Sequence, residues 1–138
     1  MTINVKTPVT KKPNLYSDFN KDLRISPISK DLALLKDEDA VKQSIKNLIL
    51  TDPGERPMQP FLGGGIRGLL FENITPGILK VVETRCKDTI STYEPRAEVI
   101  NVTASSRYDD NTVNVQIQFY IKNVDRPITL DLILERIR

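Results

Sequence analysis

TVNVQIQFYIK, residues 112–122, is the clearest strand in the chain. Val113, Val115, Ile117, Phe119 and Ile121 alternate with Asn114, Gln116, Gln118, Tyr120 and Lys122. Period two is that of a strand with one dry and one wet face. Upstream, Ala97 to Arg107 reads as a second strand, joined through a turn over Tyr108 to Asn111. Downstream, Asn123 to Pro127 turns again and Ile128 to Arg138 continues, with Ile128, Leu130, Leu132 and Leu134 inward. Three consecutive strands make an antiparallel meander. It has one apolar face that helices must cover and two edges able to template further pairing. The final strand ends Glu135-Arg136-Ile137-Arg138, a charge-protected edge or a docking edge.

Two helices supply the cover. Asp37 to Leu50 carries Val41, Ile45, Leu48 and Ile49 on one stripe. Asp37 is placed to cap it, Glu38 and Asp39 suit the positive end of its dipole, and Pro53-Gly54 ends it. The second helix opens at Thr75-Pro76, an N-cap followed by proline at the first helical position. It carries Ile78, Leu79, Val82, Cys86 and Ile90 on one face. It ends near Tyr93, because Pro95 pushes Glu94 towards extended backbone. Cys86 is read as a small core residue.

Between the helices, TDPGERPMQPFLGGG, residues 51–65, holds three prolines and four glycines and no regular element. A connection this long is functional or packed by its own side chains. Ile66 to Glu72 allows a short helical turn. Gly63 to Gly68 matches G-x-G-x-x-G, but no strand precedes it and a meander follows, so it reads as a turned loop rather than a dinucleotide site. Residues 1–30 carry six Lys/Arg against two Asp/Glu, and Pro8 and Pro13 break the first stretch. That stretch is a solvated tail or an arm that orders on a partner. The fold expected is α+β: two main helices packed on a C-terminal three-strand antiparallel meander, with a flexible N-terminal arm over 1–14 and one domain over 15–138.

Composition narrows function. The 138 residues contain one cysteine and no histidine. An intrachain disulfide, a structural zinc site and a triad built on histidine are therefore excluded. No apolar run reaches the ~20 residues of a membrane helix, and nothing at the N-terminus resembles a secretory signal. The charges nearly cancel, at +2, and aromatics are 6%, which argues against a base-stacking nucleic-acid platform. No cofactor, metal, nucleic-acid or membrane partner is expected.

Three segments stand out as candidate sites. Pro53-Gly54-Glu55-Arg56-Pro57-Met58 is followed by Phe61 and Gly63, Thr75-Pro76 opens a helix, and Tyr93-Glu94-Pro95-Arg96-Ala97 leads into the meander. Glu55 and Glu94 form a conceivable carboxylate pair for glycoside hydrolysis. Arg56 and Arg96 beside them lower carboxylate pKa values, the wrong direction for a general acid. Glu94-Pro95-Arg96 is a helix terminator with solvated charges or a charged contact site, where arginine's planar fork orients a partner.

In order and spacing these motifs, over about residues 15–138, resemble the sheath-initiator family of baseplate wedge proteins. That family occurs in contractile phage tails, pyocins and type VI secretion. The resemblance implies helices on an antiparallel sheet like the inner domain of a tail-sheath protein, and a structural, non-enzymatic role that nucleates sheath polymerisation. The implied partners are the tail sheath protein, the core proteins of the wedge and the tail tube, in multiple copies within a six-fold baseplate. The implied location is the virion tail baseplate, after assembly in the host cytoplasm. Glu94, Pro95 and Arg96 are the implied wedge contacts, with Glu55 and Arg56 beside them. Some members carry a lysozyme label, so a peptidoglycan hydrolase using Glu55 and Glu94 is the alternative. β-Augmentation, in which sheath arms add strands to the 97–138 sheet, is the expected mechanism.

Overall fold

The structure is a computed structural model that describes residues 15–107 and 112–135. The expected arm over 1–14, the turn over 108–111 and the end of the expected third strand, 136–138, lie outside the described residues. The elements run β1 (Ser17–Phe19), β2 (Leu34–Lys36), α1 (Glu38–Leu50), α2 (Ile66–Leu70), α3 (Pro76–Tyr93), β3 (Ala97–Arg107), β4 (Thr112–Ile121) and β5 (Pro127–Glu135). β3, β4 and β5 form the expected meander in that order, both pairings antiparallel.

β4 is the spine of the molecule because its alternation is unbroken. Val113, Val115, Ile117, Phe119 and Ile121 are all buried. Register sets Ile117 between Val102 and Leu130, and Phe119 between Val99 and Ile128. Burying each such side chain is worth about 1.5–3 kcal/mol, more than any exposed ion pair of the surface supplies. A register shift between Val99 and Asn101 makes Ile100 an extra residue on the β3 edge and leaves it exposed.

The helices close the dry face. α3 packs chiefly on β3 and inserts Val82, Cys86 and Ile90, while α1 supplies Val41, Ile45 and Ile49 to the same core. α2, the short helix after the glycines, seals the core with Ile66 and Leu70. Thr75 caps α3 as expected, its Oγ1 accepting from Ile78 N at 3.3 Å with Pro76 at the start of the helix. Cys86 is fully buried; burial and then the charge of Glu83 push its thiol up to about 12, so it is packing and not a nucleophile.

One local expectation is corrected. Asp37 occupies the N-cap position of α1 but makes no side-chain cap. Its φ is positive, 46°, and its carboxylate turns back to accept from Leu15 N (2.7 Å) and Tyr16 N (3.1 Å). The side chain that would hold the helix start instead ties down the chain entering β1. β1 and β2 themselves carry no readable alternation; they pair over three residues each, with Phe19 opposite Leu34. Gln43 of α1 fastens them, its Nε2 donating to Phe19 O at 3.0 Å.

Candidate functional site

The corner between α3 and β3 is built by its sequence. Glu94 N still donates to Ile90 O (2.8 Å), and after the proline Ala97 N donates back to Glu94 O (3.1 Å). Lys122 N donates to Arg96 O (3.0 Å), which pins the corner to the end of β4. Glu94 and Arg96 therefore reach the same side, and their side chains meet in a fork: Nε to Oε1 at 2.6 Å and Nη2 to Oε2 at 2.7 Å. The Glu94 side chain is 3% exposed and that of Arg96 29%, while Pro95 faces solvent. The Arg96 guanidinium also lies over the Tyr16 ring, 5.5 Å from its centre.

Burial alone would raise the Glu94 pKa. The hydrogen bonds from Arg96 and Ser44 and the charge of Arg96 outweigh it and hold the carboxyl below its usual 4.5. The Arg96 guanidinium is shifted up by the same hydrogen bond with Glu94, against the opposing effect of its burial. A carboxylate held ionised inside a pair is a brace, not a proton donor at neutral pH. Tyr16 and Ser44 were invisible to sequence reading: neither belongs to a motif, and only the folding of β1 and α1 against the corner brings them there.

Glu55 and Arg56 lie in the 51–65 loop, and the structure does not bring Glu55 to Glu94. Glu55 Oε2 accepts from Asp52 N (3.1 Å), and its Oε1 lies 3.6 Å from Arg67 of α2. Glu94 is occupied by Arg96 and Ser44, so the two carboxylates share no partner. Arg56 is exposed and has no ion-pair partner among the described residues. Among the described residues no group of acidic or thiol side chains could hold a metal ion, and no helix is long and apolar enough to cross a membrane.

The loop is nevertheless fixed beside the corner. Tyr93 Oη donates to Phe61 O at 2.7 Å. Gly64 N donates to Thr51 O (3.2 Å) and closes the neck of the loop, and Gly54 N donates to Pro60 O (2.8 Å) across it. Gly63 makes the neck possible: its φ is +125°, and a Cβ there would run into the Thr51 carbonyl.

The two edges of the sheet differ. On β3, Ala104 N donates to Glu83 Oε1 of α3 at 2.9 Å, so a helix side chain already occupies part of that edge. This bond, then Lys80, keeps the Glu83 carboxyl below its usual pKa despite partial burial. β5 pairs only with β4 among the described residues. Beside its end lies a cleft of about 180 Å³ lined by Ile49, Leu50, Ile66, Leu70 and Ile133, with Arg67 and Glu135 at its rim. Ile133 is 68% exposed.

A helix-covered meander, an α3–β3 corner braced by a Glu-Arg fork and a glycine-necked loop beside it are this chain's defining features. The profile of the family described as baseplate wedge protein gp25 matches residues 35–125. The chain belongs to the gp25 family of baseplate wedge proteins. The baseplate wedge protein gp25 of Enterobacteria phage T4 is 33% identical over 121 residues, covering 88% of this chain and 83% of that protein. A chain of the six-fold symmetrised anti-feeding prophage baseplate is 32% identical, with a TM-score of 0.69 over 80% of this chain and 88% of its own. A Geobacter sulfurreducens protein named as a suspected tail lysozyme is 27% identical, with a TM-score of 0.67 over 73% of this chain and 92% of its own. The gp25-family match spans α1, the loop, the corner and β4, and leaves Tyr16 and β5 outside it.

Proposed function

We propose that this baseplate wedge protein is non-catalytic and nucleates sheath polymerisation by offering the free edge of β5 to an extended arm of a sheath subunit. The observation that carries the reading is the inequality of the two sheet edges. Glu83 occupies Ala104 N on β3, whereas β5 pairs only with β4 among the described residues and ends beside a cleft lined largely by Ile and Leu. An added strand would take main-chain hydrogen bonds from β5, and a side chain set against the end of β5 would enter the cleft and fix register. The corner of Glu94, Pro95 and Arg96, with Glu55 and Arg56 nearby, is the face turned towards the wedge core. The domain spans 15–138, with 1–14 as an arm towards a neighbour. In this reading the protein sits in multiple copies in a six-fold virion baseplate, assembled in the host cytoplasm, with the tail tube alongside.

The alternative, peptidoglycan hydrolysis through Glu55 and Glu94, has little support. Glu94 is buried in its pair with a depressed pKa, and neither carboxylate lines the cleft beside β5.

The test is polymerisation of the cognate sheath subunit, followed by light scattering and electron microscopy, with wedges carrying this protein or lacking it. Ordered sheath is expected only on wedges that carry it, and Ile133→Lys should abolish nucleation while leaving the fold intact. Sheath growth indifferent to the protein would refute the role; growth that survives Ile133→Lys would remove β5 and its cleft as the acceptor.

A further inference from the structure

Glu94 and Arg96 satisfy each other, so the corner itself offers a partner little free charge. The apolar surface next to it is different. Met58 is 94% exposed and Phe61 84%, at the tip of the 51–65 loop. A lone exposed apolar side chain is ordinary. Here two are held out together by a loop that is braced throughout. The neck is closed by Gly64 N to Thr51 O, the middle is bridged by Gly54 N to Pro60 O, and Gln59 N donates to Arg56 O at 3.1 Å. Pro57 and Pro60 flank Met58 and stiffen it further. The Phe61 carbonyl is held by Tyr93, the residue before Glu94. A loop whose backbone is already held has less backbone entropy to lose on binding, and large apolar side chains at such positions are the usual centres of interface energy.

We infer that Met58 and Phe61 are the anchor of the wedge contact, inserting into an apolar pocket with carboxylate at its rim on a wedge core subunit. Glu94 and Arg96 are positioning residues that hold the base of this anchor in place. The inference rests on the proposed docking of the wedge at this corner. The carboxylate follows from Arg56, which is exposed two residues from Met58 and has no ion-pair partner among the described residues. A pocket receiving Met58 brings its rim to that guanidinium. Two side chains separated by Gln59 and Pro60 are too little apolar surface to hold a membrane, since even one acyl chain binds only marginally.

The test uses the full chain and the cognate wedge subunits purified without it, with affinity read by calorimetry or interferometry. Met58→Ser with Phe61→Ser should weaken binding about 30-fold or more, equivalent to about 2 kcal/mol at 1.4 kcal/mol per tenfold. The melting temperature should not move, because neither side chain is packed. Met58→Leu with Phe61→Leu should restore most of the affinity, and Arg56→Gln should flatten its salt dependence. Binding of the double serine variant within about twofold of wild type would overturn the anchor and leave the docking reading standing. Absence of wild-type binding would overturn both. Self-association of the wild type that the serine variant abolishes, with wedge binding unchanged, would assign the tip to a second copy instead. Capture of the wild type by phosphatidylglycerol vesicles, lost in the same variant and with wedge binding unchanged, would assign it to a lipid surface.

Discussion

Arg96→Ala is the perturbation that most sharply separates an internal brace from a surface contact. The Glu94 side chain is 3% exposed, and Arg96 supplies both bonds of the fork. Removing one partner of a buried pair costs about 3–5 kcal/mol. Arg96 is 29% exposed, so water can reach part of the vacated space and the lower end applies. Loss of the guanidinium over Tyr16 adds ~0.5 kcal/mol. The expected loss is about 3.5 kcal/mol, or roughly 10–15 °C in melting temperature for a chain of this size, measured by urea and thermal melts. The pH dependence gives an independent sign. In the wild type the folded pKa of Glu94 lies below 4.5, so near that pH the folded state binds fewer protons than the unfolded one. The pair's contribution is full above the ordinary value and is lost as pH falls through the folded pKa. Without Arg96 burial dominates and raises the pKa. The Glu94 contribution then changes sign, and the variant loses stability as pH rises through the carboxylate range. Replacing both partners, Glu94→Leu with Arg96→Met, should recover much of the loss because no charge is left buried. A loss under about 1 kcal/mol, with an unchanged acid slope, would refute the brace and make Arg96 an ordinary surface residue.

Gly63→Ala should cost about 2 kcal/mol or more, since it strains a left-handed backbone and drives a methyl at the Thr51 carbonyl. Limited proteolysis should then cut faster within 51–65 than it does in the wild type. Thr75→Ala should lower stability by about 1 kcal/mol in urea melts, through loss of the cap on Ile78 N. The Cys86 thiol, fully buried and raised to about 12, should not react with an aromatic disulfide at pH 8 until the protein unfolds. Its reaction rate should therefore track denaturant concentration.

The lesson of the N-terminal half is where pattern ended. β4 could be read from its letters because a two-residue period with one buried face leaves a linear record, and α3 because Thr75-Pro76 and Pro95 mark both ends. β1 and β2 left no such record. Each is three residues long, and Phe19 and Leu34 point outwards, so no dry face imposes alternation. Asp37 looked like a helix cap because capping is a local habit of aspartate. Two amide groups from Leu15 and Tyr16 competed for the same carboxylate, and only the tertiary path of the chain brings them there.

The candidate site divides in the same way. Glu94, Pro95, Arg96, Glu55 and Arg56 could be named from the chain because the family resemblance runs through short local motifs. The depressed pKa of Glu94 was foreseeable from Arg96 two residues on. Legible from the chain were the elements whose periodicity or end signals are local, and the identities of the motif residues. The packing of distant segments is what buries Glu94, brings Tyr16 and Ser44 to its brace, leaves β5 paired only with β4 among the described residues while Glu83 takes Ala104 N of β3, and exposes Met58 and Phe61 on a braced loop. The physical reason is that exposure, pairing and edge occupancy depend on groups far apart in the chain, and no local period records them.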